Sequence, residues 1–297
     1  MPELFSRPKE VNNSENTLEY SPFTAELAKG TDIEDIYSIS DSEKPKWDNA
    51  NYELNKEIKL ECVSIRDAYG DTIANTIDDI VEGPDKEIQT LWKKYKEEVL
   101  VGEPDYDEYE AWYDPDAGTV TININDCRAG RNYEPPYQVA FHEFGHNIDH
   151  KINVKINGDS SALYSELYKD GLLGKTAKAE ASEFIENYRL KMEETEGRSV
   201  SLDDACARIS DELTENIPLT ERGDLSDIFE GATDGKINLG VGHGKDYWKD
   251  HDNGTEIFAE IFSASICNKG SLTEIKEYFP ETYKVFQEIV RSANGNA

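Results

Sequence analysis

Apolar and polar positions along the chain follow two periods. In residues 52–69, Leu54, Ile58, Cys62, Ile65 and Tyr69 fall three or four apart, the spacing of one helix face. Ile73, Ile77, Ile80 and Val81 continue the stripe. Pro84 opens a further helix, with Ile88, Leu91, Trp92, Tyr95 and Val99 on one side. Over residues 110–125 the period shortens to two. Val120, Ile122 and Ile124 point to one face and Thr119, Thr121, Asn123 and Asn125 to the other, after a turn at 114–118. This predicts a β-hairpin whose second strand, half apolar and half hydrogen-bonding, suits a sheet edge. Helical spacing returns after Pro135 and Pro136 and persists through 160–217. There Ala181, Phe184, Ile185, Tyr188 and Met192 form one stripe, ended by Gly197. Leu202, Ala205, Cys206, Ile209 and Leu213 form the next, capped by Ser201 and followed by Pro218. A glycine-rich loop, 231–244, leads to Tyr247 and Trp248, and two or three helices fill 255–292.

The first 48 residues carry no such period. They are rich in Asn, Ser, Glu and Asp and contain Pro2, Pro8, Pro22 and Pro45, which predicts a loosely ordered polar arm with one short helix near 24–29. The expected organisation is therefore α+β: an arm at 1–48, a helical region at 49–103, and a domain at 104–297 built on a small sheet and a motif-bearing helix. The helical region packs beside that domain or forms part of it.

Composition narrows the partners. With 31 Lys and Arg against 62 Asp and Glu, the chain of 297 residues carries a formal charge of −31. A surface that tracks phosphates needs clustered cations, so a nucleic-acid partner is not expected. No stretch of 18 apolar residues is present, so no membrane-spanning helix is expected. The start lacks the apolar run of a signal peptide, which points to a cytoplasmic location with release or virion association left open. Cys62, Cys127, Cys206 and Cys267 are widely separated, as reduced and mostly buried thiols would be, although spacing does not exclude a bridge.

The chemistry concentrates at His142-Glu143-Phe144-Gly145-His146, an H-E-x-x-H motif. Residues four apart share a helix face, so both imidazoles can grip one Zn²⁺ while Glu143 reaches an activated water as general base. Positions five and six past the motif are Lys151 and Ile152, so no third histidine follows at metzincin spacing. The third ligand must come from elsewhere. Glu256 and Glu260, one turn apart on a downstream amphipathic helix, are the candidates. Periodicity does not choose which of them binds metal and which supports an imidazole from behind. Asp149 shares the motif's helix face and can orient a ligand imidazole. His150 reads as a packing or surface residue. Tyr247 or His243, on the glycine-flanked loop before Glu256, can face the oxyanion of a peptide under attack. The polar side of 119–125, through Thr121 and Asn123, is the candidate edge for an extended substrate.

The stretch Phe141 to Asp149, paired with Thr255-Glu-Ile-Phe-Ala-Glu-Ile-Phe262, resembles the zincins related to the anthrax lethal factor catalytic domain. The chain is still more similar to the metallopeptidase-like domains of minor head proteins of phages and prophages. These share a Trp-Tyr-Asp-Pro hairpin, a Pro-Tyr before the motif, a stretch like Ser226-Asp-Ile-Phe-Glu-Gly231, a Gly-His-Gly-x-x-Tyr-Trp loop and a Glu-x-Phe-Ala-Glu helix, ordered along about 85–292. The first 80 residues have no counterpart, and no head-morphogenesis module is present. The resemblance implies a zincin-like fold, a gluzincin-type zinc endopeptidase, Glu256 as third ligand, a tyrosine on the oxyanion with Tyr247 the nearest match, and phage or prophage proteins as partners beside a peptide or protein substrate. The rival expectation is a phage-derived structural or interaction protein whose zinc is mainly structural. Against it, a closed structural site tends to carry four ligands, often Cys, and no Cys neighbours this motif.

Overall fold

The structure, a computed structural model, describes residues 63–102, 111–131, 133–249 and 253–295. The expected arm at 1–48, and most of the expected helix at 52–69, lie outside them. The described part is α+β: mostly helical, with one small mixed sheet. Strands β1 (Val63–Ser64), β2 (Leu100–Val101), β3 (Trp112–Asp114) and β4 (Thr119–Thr121) lie in the order β1-β2-β4-β3. β3 and β4 form the expected hairpin, with Trp112 opposite Thr121 and Asp114 opposite Thr119. The Asp114 carboxylate closes the turn by accepting from Asp116 N at 2.9 Å and Ala117 N at 3.0 Å.

The hairpin's second strand is not the edge that its alternation predicts. β4 pairs with β2 on one side and β3 on the other, and Thr119 and Thr121 are as buried as Val120. Among the described strands the sheet's edges are β1 and β3. The strand also stops early. Asn123 accepts from Asn125 N and Asp126 N and so caps helix α3 (Ile124–Ala129). Thr121 and Asn123 therefore do not offer an open edge to an extended substrate. Alternation reports a pleat with unlike faces, and two threonine hydroxyls are small enough to be buried.

The other departures are local. Helix α1 (Ile65–Ile80) begins at Ile65 because Val63 and Ser64 join the sheet and Ser64 Oγ accepts from Asp67 N at 3.1 Å. Helix α2 (Lys86–Tyr95) is capped by Asp85, two residues past Gly83, so Pro84 lies just outside it. β2 belongs to the region expected to be helical and either to pack beside the motif's domain or to form part of it; it pairs in parallel with β4, so residues 63–102 are part of the body that holds the motif. Helix α4 (Gln138–Asn157) carries the motif. Its Phe141 and Phe144 rings lie 5.5 and 5.7 Å from Trp92 of α2, which ties the two helices through a fully buried aromatic cluster.

Beyond α4 come α5 (Tyr164–Leu167), α6 (Leu172–Glu196), α7 (Leu202–Asn216) and α8 (Gly223–Thr233), then α9 (Asn253–Cys267), α10 (Lys269–Tyr278) and α11 (Pro280–Asn294). α4 packs most extensively on α9, which is apolar nearly all round and buried accordingly. Gly231 lies inside α8, not in the loop expected to begin there. A Cβ at that position would stand 2.8 Å from the Trp248 ring, so this glycine makes room for packing rather than for a turn. Cys127 and Cys206 are buried free thiols and Cys267 is half-buried; Cys62 lies outside the described residues. No described helix is long and apolar enough to cross a membrane.

Candidate metal centre

Two helices crossing at small residues build the site. α4 starts sharply: after Pro135 and Pro136, Tyr137 adopts a left-handed φ of 66° and its N–H donates to Cys127 O at 2.6 Å. One turn in, the helix presents His142, and another turn on His146. α9 passes over this face at Gly145. A Cβ on Gly145 would meet Ala259 Cα at 3.0 Å and Phe262 Cδ1 at 3.3 Å. That close approach places Glu256 and Glu260, which flank Ala259 on α9, against the histidines of α4.

Glu256 and Glu260 then separate by role. Glu256 Oε2 lies 3.4 Å from both His142 Nε2 and His146 Nε2, and those two nitrogens are 3.1 Å apart. Glu260 Oε1 lies behind the first ring, 3.3 Å from His142 Nδ1. Three donors bound about 2.1 Å from one ion at tetrahedral corners would be about 3.4 Å apart, so the spacing fits one metal of zinc's size. Glu256 Oε2 is also a buried oxygen with no hydrogen-bond partner, the kind of orphan a cation would satisfy. The electrostatics agree. Burial alone would push His142 down and Glu256 up. The carboxylates of Glu260 and Glu256 instead raise His142 well above the usual imidazole value, and the imidazoles of His146 and His142 hold Glu256 well below the usual carboxylate range. This is a cleft that attracts positive charge.

Glu143 is buried to 8% exposure on the same helix, and among the described residues its carboxylate makes no hydrogen bond. Asp149 behaves otherwise than expected. Its carboxylate accepts from Ser165 N at 2.9 Å and from Ser165 Oγ, tying α4 to α5, and it reaches His146 through charge rather than a hydrogen bond. His150 is a packing residue, held between Tyr113 Oη and the carbonyl of Ser160. Tyr113, from β3, stacks with its centroid 6.2 Å from that of His146 and props the second imidazole of the motif.

The loop after α8 forms the wall opposite the helix crossing. Tyr247 Oη donates to Glu256 Oε1 at 2.7 Å, and its ring stacks on His243 with centroids 4.1 Å apart. Burial, followed by the Glu256 carboxylate, drives the Tyr247 phenol upward, so it stays a proton donor. Buried carboxylates of α8 hold the loop. Asp227 Oδ1 accepts from His243 N at 2.8 Å and faces its Nδ1 at 3.0 Å. Glu230, fully buried, accepts from Gly244 N at 2.8 Å and Trp248 Nε1 at 3.2 Å, and also from Asn238 Nδ2. Gly242, at φ +113°, runs so close beneath that a Cβ would stand 2.6 Å from Asp227 Oδ1. Asp224 completes the row by accepting from Gln138 Nε2 of α4 at 2.7 Å.

His142, Glu143, His146, Glu256, Glu260, Tyr247 and His243 thus converge, while Thr121, Asn123 and Asp149 take other duties. Asp227, Glu230, Tyr113 and the Gly145–Ala259 contact were not singled out from sequence. A signal existed for the first two: Asp224, Asp227 and Glu230 recur every three residues on a helix with no Lys or Arg and with Leu225, Ile228 and Phe229 between them. Compared with known proteins, the chain matches no family model, no curated protein and no solved structure.

Proposed function

We propose that the chain is a zinc-dependent endopeptidase of zincin type, with His142, His146 and Glu256 holding the metal. The observation that carries this is the mutual spacing of 3.1–3.4 Å among His142 Nε2, His146 Nε2 and Glu256 Oε2, with Glu143 next to the first ligand. When bound, Zn²⁺ supplies Lewis-acid polarisation and activates water near neutral pH. Glu143 takes a proton from the attacking water and passes it to the leaving amine. Tyr247, with His243 stacked on it, donates to the oxyanion as the carbonyl becomes tetrahedral. Glu260 fixes the orientation of His142 by accepting from Nδ1. An extended substrate adds to β3 rather than β4, since β3 is an edge of the described sheet and, unlike the edge strand β1, carries a ring, Tyr113, stacked beside His146.

The test pairs metal analysis with cleavage of an unbiased peptide library. The parent protein is expected to hold about one zinc per chain. Glu143→Gln keeps the shape and should keep the zinc while turnover drops at least about 10²-fold, the scale for a positioned acid–base group. A parent that takes up no zinc, or a variant as active as its parent, rejects the proposal.

A further inference from the structure

We infer that Asp227 is a positioning residue for catalysis, holding His243 in the orientation that turns its Nε2 toward the reacting carbonyl. The inference rests on the peptidase reading above. Asp227 captures His243 twice with one oxygen, at the backbone N–H (2.8 Å) and at ring Nδ1 (3.0 Å). Two bonds to one residue fix both the backbone and the side-chain torsions. An oxygen on Nδ1 also keeps a proton there, which settles the tautomer, and a charged carboxylate supports the ring when it carries a second proton at Nε2. Among the described residues nothing bonds Nε2. The side chain is 34% exposed, stacked on Tyr247 and with its ring centroid 6.2 Å from that of His142, so the ring lies beside the paired histidines and not in the core.

The support beneath is built for stiffness. Asp227 is 6% exposed and Glu230 fully buried, on a helix whose every turn is covered. Neither pairs with Lys or Arg among the described residues. Their charge is met by the loop's own donors: His243 N and Nδ1 on Asp227, Gly244 N and Trp248 Nε1 on Glu230. A purely structural anchor needs only the backbone donors at 243 and 244. The bond to the imidazole adds nothing to the path of the loop, and it is the one that sets what Nε2 can do. Asp227, His243 and Glu260 also place one ligand atom each within 4.8 Å of one another, so a second metal ion is the competing use of the same side chains.

The experiment compares the zinc-loaded parent, Asp227→Asn, Asp227→Glu, His243→Gln and the Asp227→Asn/His243→Gln double variant. Asn keeps the shape and loses the charge. It should lower kcat about 10–100-fold with KM within about twofold and still one zinc per chain, the range for groups that orient a functional imidazole. His243→Gln should cost about 10²–10³-fold, as loss of an oxyanion donor does. The double variant should be no slower than His243→Gln, because Asp227 acts through that ring. Asp227→Glu should recover part of the lost kcat. Independently of activity, ¹⁵N spectra of the histidine rings, assigned with His243→Gln, should show the Nδ1 proton of His243 retained in the parent and redistributed in Asp227→Asn. Unchanged kcat in Asp227→Asn, fully additive losses, or identical His243 signals in parent and Asp227→Asn overturn the inference. So does a second zinc per chain that Asp227→Asn removes, which reassigns the trio to a metal. If the parent shows no Glu143-dependent cleavage, the peptidase reading falls and Asp227's catalytic role with it. The ring spectra then report separately whether the Asp227–His243 pair exists.

Discussion

The cleft has two walls, and they are held by opposite physics. The wall proposed to face the metal is the crossing of α4 and α9. Its functional side chains project from rigid helices whose backbone groups are satisfied internally, and the crossing distance is set by apolar contact at Gly145 and Ala259. The other wall, proposed to face the oxyanion, is the loop from Gly240 to Trp248. A loop satisfies few of its own backbone groups, so every fixed point must be supplied from outside. Here Asp227 and Glu230 supply them, two carboxylates inside the protein whose charge is answered by hydrogen-bond donors. The difference teaches where each wall is vulnerable. Adding volume should spoil the first wall, and removing acceptors or forcing a Cβ into the turn should spoil the second.

The sharpest break on the metal wall is Glu256→Ala. It removes one of three donors, so zinc affinity should fall by more than the roughly 10–100-fold typical of losing a supporting group. Glu260→Ala removes only the acceptor behind His142 and should stay within that range. Competition titration of zinc against a chelator measures both. A larger loss in Glu260→Ala than in Glu256→Ala would reverse their roles, the very alternative that helix periodicity leaves open.

A matched pair of glycine substitutions compares the two walls directly. Gly145→Ala gains about 1 kcal/mol of helix propensity but sets a methyl against the Ala259 backbone, which cannot swing aside. Overpacking of this kind costs about 1–3 kcal/mol. The helices should move apart, and zinc affinity should drop about tenfold through a longer reach to Glu256. Gly242→Ala strains a φ of +113° and crowds Asp227 and Glu230. It should leave zinc affinity within about twofold while kcat falls at least about tenfold. Equal zinc loss in both variants would mean that the walls are one mechanical unit, held by the same contacts.

The same contrast explains what the sequence disclosed. The H-E-x-x-H pair and the Glu256/Glu260 pair are legible because i, i+4 spacing on a helix is a local rule that survives in one dimension. The hairpin, the Ser201 cap and the Gly197 stop are legible for the same reason. Thr119–Thr121 misleads, because whether a strand is an edge depends on β2, some twenty residues upstream, and no local pattern encodes that partner. Asp149 misleads because correct spacing brings it to the right face, yet Ser165 on α5 claims both oxygens. Asp227 and Glu230 escape notice because, in a chain with 62 acidic residues, a carboxylate on a helix reads as a solvated charge until the loop above it is seen.

The smallest expected effect concerns Asp149, which stiffens the metal wall without touching metal. Burial drives its carboxyl up from 3.8 to about 7, although the two Ser165 bonds and the charge of His146 pull the other way. The folded pKa therefore lies above the unfolded one. Between about pH 4 and pH 7 the folded protein keeps a proton that the unfolded chain has released, so this group's contribution to stability is complete below about pH 4 and is lost as pH rises through about 7. Asp149→Asn preserves the acceptor for Ser165 N and can donate its amide to Ser165 Oγ, so it removes the titration without removing the link between α4 and α5. In urea unfolding of metal-free protein, which avoids the pH dependence of zinc release itself, the variant should gain on its parent steadily from about pH 4 to pH 7 and run parallel outside that window. Parallel curves throughout would mean that Asp149 is already ionised in the folded state near pH 4, and that the charge of His146 outweighs the burial.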